Sequence, residues 1–391
     1  MAYGKLAKGM SSEEAARRLQ KVMPNLKREK EFRGNAPSVF IGSHSYPKVS
    51  TGILSPQHPG DSSLLDSPDK WYSEGFGVEK VASLRTSLIN SRQRLKVEET
   101  DSFLSNTREI AMSRKPVDIE VALEKKPSQA VSGGRVKPVS AAGDIENFIL
   151  GENPSVERKI EKAFYDTDLK AETGVKELYS KGVDNYKIQQ SLSTGMLGEE
   201  ENRKLVPTRW SITASDDMIS KNLREQVKDY QELGQIEYYK NSYVGNDFHI
   251  FLIPGRWEYE LFELKRSGSV WNAAENTYIA HNYEPYNGRT GYAEETAGAF
   301  YATRLGIAEH LVRRRRQAKA LVIREVKPDY WAPLGVWVIR ETVRNGFKDK
   351  EELESFEKVK WSVSRDFRFL YSRIKSKSKI LGGRQFSLRD F

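Results

Sequence analysis

Residues 236–265 read IEYYKNSYVGNDFHIFLIPGRWEYELFELK, and the fold class follows from this run. Aromatic and β-branched residues, which pack well on a pleated surface, fill Ile236 to Val244, Phe248 to Pro254 and Trp257 to Lys265. Gly245-Asn246-Asp247 and Pro254-Gly255 interrupt them where tight turns need such residues. The spacing predicts three strands in an antiparallel meander. Just upstream, Trp210 to Ala214 reads as a further short strand. Downstream, a helical pattern runs from Glu294 to Ala318, followed by the strand-like Ala320 to Val326 and then Leu334 to Glu341. No parallel strand–helix–strand repeat is visible. The expected fold is α+β, a mainly antiparallel central sheet flanked by helices with a flexible C-terminal tail.

Toward the N-terminus, Ser11-Ser12-Glu13-Glu14 forms a helix cap ahead of Leu19, Val22 and Met23, so residues 1–33 are read as a basic helical segment. Ser38 to Gly42 and Lys48 to Leu54 read as two short strands around a Ser-His-Ser-Tyr-Pro turn. Residues 55–70 read as loop, 73–94 and 98–112 as helical, Val117 to Lys125 as a strand and 126–145 as loop. Over 153–190, Ile160, Ala163, Phe164, Leu169, Val175, Leu178 and Tyr179 supply the apolar face of helices. The expected organisation is therefore a segment 1–33, a core 34–373 and a basic linker with terminal peptide, 374–391. Within the last, IKSKSKILGGR (374–384) has the composition of a tether.

Of the 391 residues, 38% are hydrophobic and 10% aromatic, enough for substantial cores. No stretch approaches the roughly 20 apolar residues of a membrane helix, and the first 21 residues lack a signal peptide's apolar centre, so a cytoplasmic protein without a membrane partner is expected. The absence of cysteine excludes disulfides, thiol nucleophiles and cysteine-ligated zinc. His44, His58, His249, His281 and His310 show no HExxH or paired spacing. Neither a phosphate-binding glycine loop nor a GxSxG elbow is present. The net charge of +9 is concentrated at the ends: +5 over residues 1–33, +6 over 361–391 and −2 between. A polyanion would be drawn chiefly to those ends.

The last seven residues, QFSLRDF, place Gln385, Leu388 and Phe391 three apart. In a single 3₁₀ turn such residues eclipse, so two apolar anchors enter a pocket while the glutamine amide bonds beside it. That is the pattern of a peptide that binds a DNA sliding clamp. A single terminal aromatic, where many such peptides carry two, predicts weaker binding.

Two polar clusters are candidates for chemistry. In LVPTRWSITASDD (205–217), a strand would set Arg209, Ser211 and Thr213 on one face, with Asp216 and Asp217 at its end. Arg209 would clamp a phosphate and the aspartates would ligate Mg²⁺ or act as general base; an N-cap and a structural ion pair explain the same residues. The second cluster, YEPYNGRTGYAEETAGAFYATR, offers Arg289 and Tyr292 at turns before a helix, and Arg304 within it, as anion-binding residues. Arg313 to Arg316 resembles a phosphate-contact run, although arginines at a helix C-terminus also offset the helix dipole.

Together FRGNAPSVFIGSHSYPKV, EIAMSRKPVDIEV, LSTGMLG, RKLVPTRWSITASDD, GRTGYAEETAGAFYATR and PLGVWVIRE resemble the archaeal Nre family of DNA repair proteins over nearly the whole chain. The resemblance implies DNA damage repair performed with the sliding clamp PCNA through a C-terminal peptide, here Gln385, Leu388 and Phe391. Some family members begin with a four-cysteine zinc finger, which this chain lacks. The family supplies no catalytic residues. Three readings follow: a clamp-recruited factor whose body hydrolyses nucleic acid or a nucleotide, a non-enzymatic clamp and DNA adaptor, and a clamp-independent nucleotide or RNA hydrolase.

Overall fold

The structure is a computed structural model that describes residues 12–26, 28–128, 140–269, 271–272 and 274–382. The described residues divide into two compact units, Ser12–Ile219 with Ala332–Gly335, and Ser220–Trp331 with 336–382.

The first unit runs α1 (Ser12–Val22), β1 (Glu31–Ala36), β2 (Ser38–Ile41), β3 (Lys48–Ser55), α2 (Pro68–Ser73), α3 (Val78–Thr86), β4 (Ile89–Lys96), α4 (Ser102–Met112), β5 (Val117–Leu123), β6 (Ala141–Leu150), α5 (Arg158–Tyr165), α6 (Ala171–Ser180), α7 (Asn185–Ser193) and the start of α8 (Thr208–Lys228). Its six strands lie in the order β1-β5-β6-β4-β3-β2. All neighbours are antiparallel except β4 and β6. Alternation in β3 buries Val49, Thr51, Ile53 and Ser55. Val49 forms a core cluster with Ile41, Leu95, Val97, Leu104 and Leu205. Asp101 and Asp184 start α4 and α7 by accepting the Leu104 and Tyr186 backbone N–H groups, each at 2.7 Å.

The second unit holds the rest of α8, then β7 (Ile236–Tyr243), β8 (Asn246–Ile253), β9 (Glu258–Lys265), β10 (Tyr278–Glu284), α9 (Gly298–Arg314), β11 (Lys319–Val326), α10 (Trp337–Arg344), β12 (Lys350–Leu353), α11 (Phe356–Asp366), α12 (Tyr371–Lys377) and α13 (Lys379–Gly382). The strand order is β10-β9-β11-β8-β7-β12, with β11 parallel to β9. All eight residues of β8 are buried. Strands covered on both faces read as continuous apolar runs, as FHIFLI does. One face packs Phe251, Ile253, Phe262, Leu264, Leu321 and Ile323 against Val359, Val363 and Phe367. On the other, Tyr259 meets Phe300 of α9 at 4.7 Å between ring centroids. Helix α9 packs tightly on α10, where a Cβ on Gly306 would come 2.7 Å from Val343.

Several expectations need correction. The α+β class holds, but the chain builds two sheets instead of one, and both are mixed. The meander fails because β11 inserts between β8 and β9: both are buried strands, and a third apolar strand between them covers more surface than pairing them directly. Residues 210–214 are helical. Across α8, Ser211, Ser215, Ile219, Leu223 and Val227 are buried at four-residue spacing, a period that a five-residue window cannot reveal. Residues 89–94, expected as helix, belong to β4, and residues 141–145, expected as loop, belong to β6. Helix α9 begins at Gly298 and not at Glu294. The tether expected at 374–384 is folded through Gly382, because Ile374, Ile380 and Leu381 are buried in the core of the second unit. Residues 383–391, with Gln385, Leu388 and Phe391, and residues 1–11 lie outside the described residues.

Candidate functional site

The second unit gathers one predicted group around a buried carboxylate. Glu284 ends β10 and is fully buried. Its Oε2 accepts a bond from Arg304 Nη1 at 2.5 Å, and its Oε1 accepts one from Trp257 Nε1 at 3.1 Å. Arg224 Nη1 stands 3.3 Å from the same Oε1. Arg304 is itself buried, donates from Nε to Ser220 Oγ at 3.0 Å, and lies over the Phe300 and Tyr301 rings. One carboxylate thus serves two guanidinium groups away from water, which demands this many hydrogen bonds to offset desolvation. The Pro285 to Gly288 turn makes room: Gly288 has φ 85°, and a Cβ there would lie 2.3 Å from Arg224 Nη1.

Arg289 follows on this turn and folds inward. Its Nη1 donates to the Tyr283 carbonyl at 2.8 Å and its Nη2 to the Tyr292 carbonyl at 3.1 Å, so it staples the loop. It also lies over Phe300. Tyr292 is half exposed and stacks on Tyr301 at 5.5 Å, while the Tyr301 hydroxyl accepts the Ala293 N–H. The structure therefore brings Arg289, Tyr292 and Arg304 together around Phe300 and Tyr301, with both arginines committed to bonds inside the protein. At the surface of this loop, the Tyr286 ring is flanked by Arg256 at 4.1 Å and Lys228 at 4.9 Å.

The other predicted group lies in the first unit, on the opening turns of α8. A helix advances about 100° per residue, so Arg209, Ser211 and Thr213 do not share a face. The Ser211 and Thr213 hydroxyls donate to the Thr208 and Arg209 carbonyls at 3.0 and 3.4 Å. Asp216 is fully buried and accepts from Asn185 Nδ2 at 2.9 Å and Gln189 Nε2 at 3.4 Å, fastening α8 to α7. Asp217 is half-buried. Arg209 and Trp210 remain exposed. Among the described residues, no group of three or more His, Cys, Asp or Glu gathers to hold a metal ion. Of the arginine run, Arg314 pairs with Glu237, and Arg315 closes α9 in the left-handed conformation.

Sequence reasoning missed the carboxylates that organise the second unit. Glu260, in the middle of β9, accepts from His281 Nε2 at 2.8 Å, Ser378 Oγ at 2.5 Å, Lys379 N at 2.6 Å and Ile380 N at 3.2 Å. It therefore caps α13 and ties down the last described helix. The signal was present in YELFEL, where Glu260 and Glu263 interrupt an otherwise apolar buried strand. His249, also buried in the sheet, has Nδ1 2.7 Å from the Tyr238 hydroxyl and 3.5 Å from Asp366. Burial pushes its pKa down to about 4. In the first unit, burial similarly lowers Lys187 to about 8.

The family model described as "Archaeal Nre, N-terminal" matches residues 13–272, and "Archaeal Nre, C-terminal" matches 284–391. The chain belongs to the archaeal Nre family. Among its Nre relatives, the DNA repair protein NreA of Haloferax volcanii is 43% identical over 371 residues, covering 92% of this chain and 88% of that protein. In Archaeoglobus fulgidus, a DNA repair protein NreA is 36% identical over 91% of this chain and 88% of its own length. The DNA repair protein NreB of the same organism is 34% identical over 96% and 97%. No solved structure matches the chain. Among the described residues, no helix is long and apolar enough to cross a membrane.

Proposed function

We propose that this chain is a DNA repair factor that works with the sliding clamp PCNA, reaches DNA at the nucleoid through Gln385, Leu388 and Phe391, and acts there on nucleic acid. The observation that carries the reading is the Nre match over nearly the whole chain, with relatives named as DNA repair proteins. The clamp pattern at 385–391 adds the partner. Capping of α13 by Glu260 supports a short connection: Gln385 is three residues beyond Gly382, at most about 10 Å of extended chain. A peptide held this near a folded body fixes the body close to the clamp, whereas a long tether would let it roam.

Within this reading, a binding role for the body is favoured over hydrolysis. Arg289, Arg304, Ser211, Thr213 and Asp216 are engaged in internal hydrogen bonds, whereas Arg209 stands exposed. Clamp pulldown tests the partner. The full chain is expected to capture PCNA, and Leu388→Ala with Phe391→Ala to lose at least tenfold in capture, since such motifs bind through a few buried anchors. Undiminished capture by the double variant would sink the clamp assignment.

A further inference from the structure

The three strands β2, β3 and β4 read SVFI, KVSTGILS and INSRQRLK. In antiparallel pairs, directly opposed residues share a face, and so do residues two apart along each strand. The register sets Phe40 opposite Gly52, Gly52 opposite Arg92, Ser50 opposite Arg94 and Lys48 opposite Lys96. One face of this half-sheet therefore carries Phe40, Lys48, Arg92, Arg94 and Lys96, together with the buried Ser38 and Gly52 and the buried Ser50 hydroxyl. The reverse face carries Val39, Ile41, Val49, Ile53 and Leu95, all buried.

On this face Arg92 is paired with Asp144 at 2.8 Å, and near β1 Arg33 pairs with Glu120 at 2.9 Å and Lys30 with Glu146 at 2.8 Å. Among the described residues, Lys48, Arg94 and Lys96 are exposed and form no ion pair. Phe40 is 39% exposed, opposite a glycine that offers no side chain to cover its ring. At the tip of the β2–β3 hairpin, Tyr46 and Trp210 are 49% and 44% exposed, with ring centroids 5.1 Å apart. Arg209 beside them is exposed and, among the described residues, also forms no ion pair.

Half-exposed aromatic rings interleaved with unpaired cations match a chain that alternates flat apolar bases with phosphates. We propose that the open face of β2–β3–β4, continued by Tyr46 and Trp210, binds single-stranded nucleic acid, with Lys48, Arg94, Lys96 and Arg209 on phosphates and the rings stacked on bases. Stacking requires unpaired bases. A flat sheet face also lacks the protruding helix or ribbon that reads a duplex major groove. This deepens the reading of the body as acting on nucleic acid and does not depend on the clamp.

The test is fluorescence anisotropy of the full chain with a labelled 20-nucleotide oligo(dT) and a 20-base-pair duplex, across a salt series. The single strand is expected to bind more tightly. Lys48→Ala with Arg94→Ala and Lys96→Ala should flatten the slope of log affinity against log salt by about 2, near 0.7 for each phosphate that is no longer neutralised. Trp210→Ala and Tyr46→Ala should each weaken binding roughly 5- to 150-fold, the range for one stacked base. Lys96→Glu serves if the triple variant does not fold, and should weaken binding more than Lys96→Ala. Equal affinity for the duplex, or single-strand binding unchanged in folded Trp210→Ala and Lys96→Glu, overturns the proposal. Clamp capture by these variants should match wild type, and the Leu388→Ala, Phe391→Ala chain should bind oligo(dT) normally, so either assignment can fail without the other.

Discussion

The two sheets have the same number of strands and one parallel pair each, yet they handle charge in opposite ways. In the second unit both faces are covered and ionic groups are pulled inside and matched: Glu284 with Arg304 and Arg224, Glu263 with Arg324, Glu260 with His281 and the start of α13. In the first unit the β2–β3–β4 face leaves Lys48, Arg94 and Lys96 exposed, and among the described residues these three form no ion pair. Buried charges cost several kcal/mol unless paired, while exposed ones cost almost nothing and are free to meet a ligand. Interior charge therefore marks the scaffold, and unpaired exterior charge marks where a partner would land.

Breaking the buried network should give the largest effect. Glu284→Gln leaves Arg304 and Arg224 inside without a counter-charge and is expected to cost about 3–5 kcal/mol, measured by urea unfolding. A loss below about 1 kcal/mol would mean that the network is not needed for stability. The next effect depends on pH. His249 is held neutral by burial, with its pKa lowered to about 4, against an unfolded value near 6.5. As pH falls below about 6.5 the unfolded chain takes up a proton that the folded protein refuses until about pH 4. Stability should therefore decline across that window by roughly 3 kcal/mol and then level off as far as this group is concerned. Burial holds His310 neutral in the same way, down to about pH 3. His249→Gln should remove its share of the decline, seen as a shallower dependence of the urea midpoint on pH. The smallest effect belongs to the open face: Lys96→Ala should change stability by less than about 0.5 kcal/mol. A larger loss would show that the face is structural after all.

How much of this was legible in the sequence varies by element. Strands β7, β8, β9 and β11 were readable because aromatic and β-branched runs between turn residues have few other uses. Helix α8 was misread because WSITA is β-prone locally, whereas its helical period shows only over the 21 residues from Thr208 to Lys228. Arg304 belongs with Glu284, twenty residues away, and Glu260 with Ser378, 118 residues away. No periodicity encodes such partnerships, since side chains that distant in sequence meet only through strand order.

Residue type at short spacing was enough to establish the α+β class, most core strands, the family through its motif blocks, and the Gln385, Leu388, Phe391 pattern. Three-dimensional packing was needed to show that there are two mixed sheets, that residues 374–382 are folded and not a tether, and that Arg289 and Arg304 make hydrogen bonds inside the protein. It was needed as well to place Lys48, Arg94 and Lys96 on one open face. These outcomes depend on which strand lies beside which and on what covers each face, and that is fixed by burial of the whole chain at once.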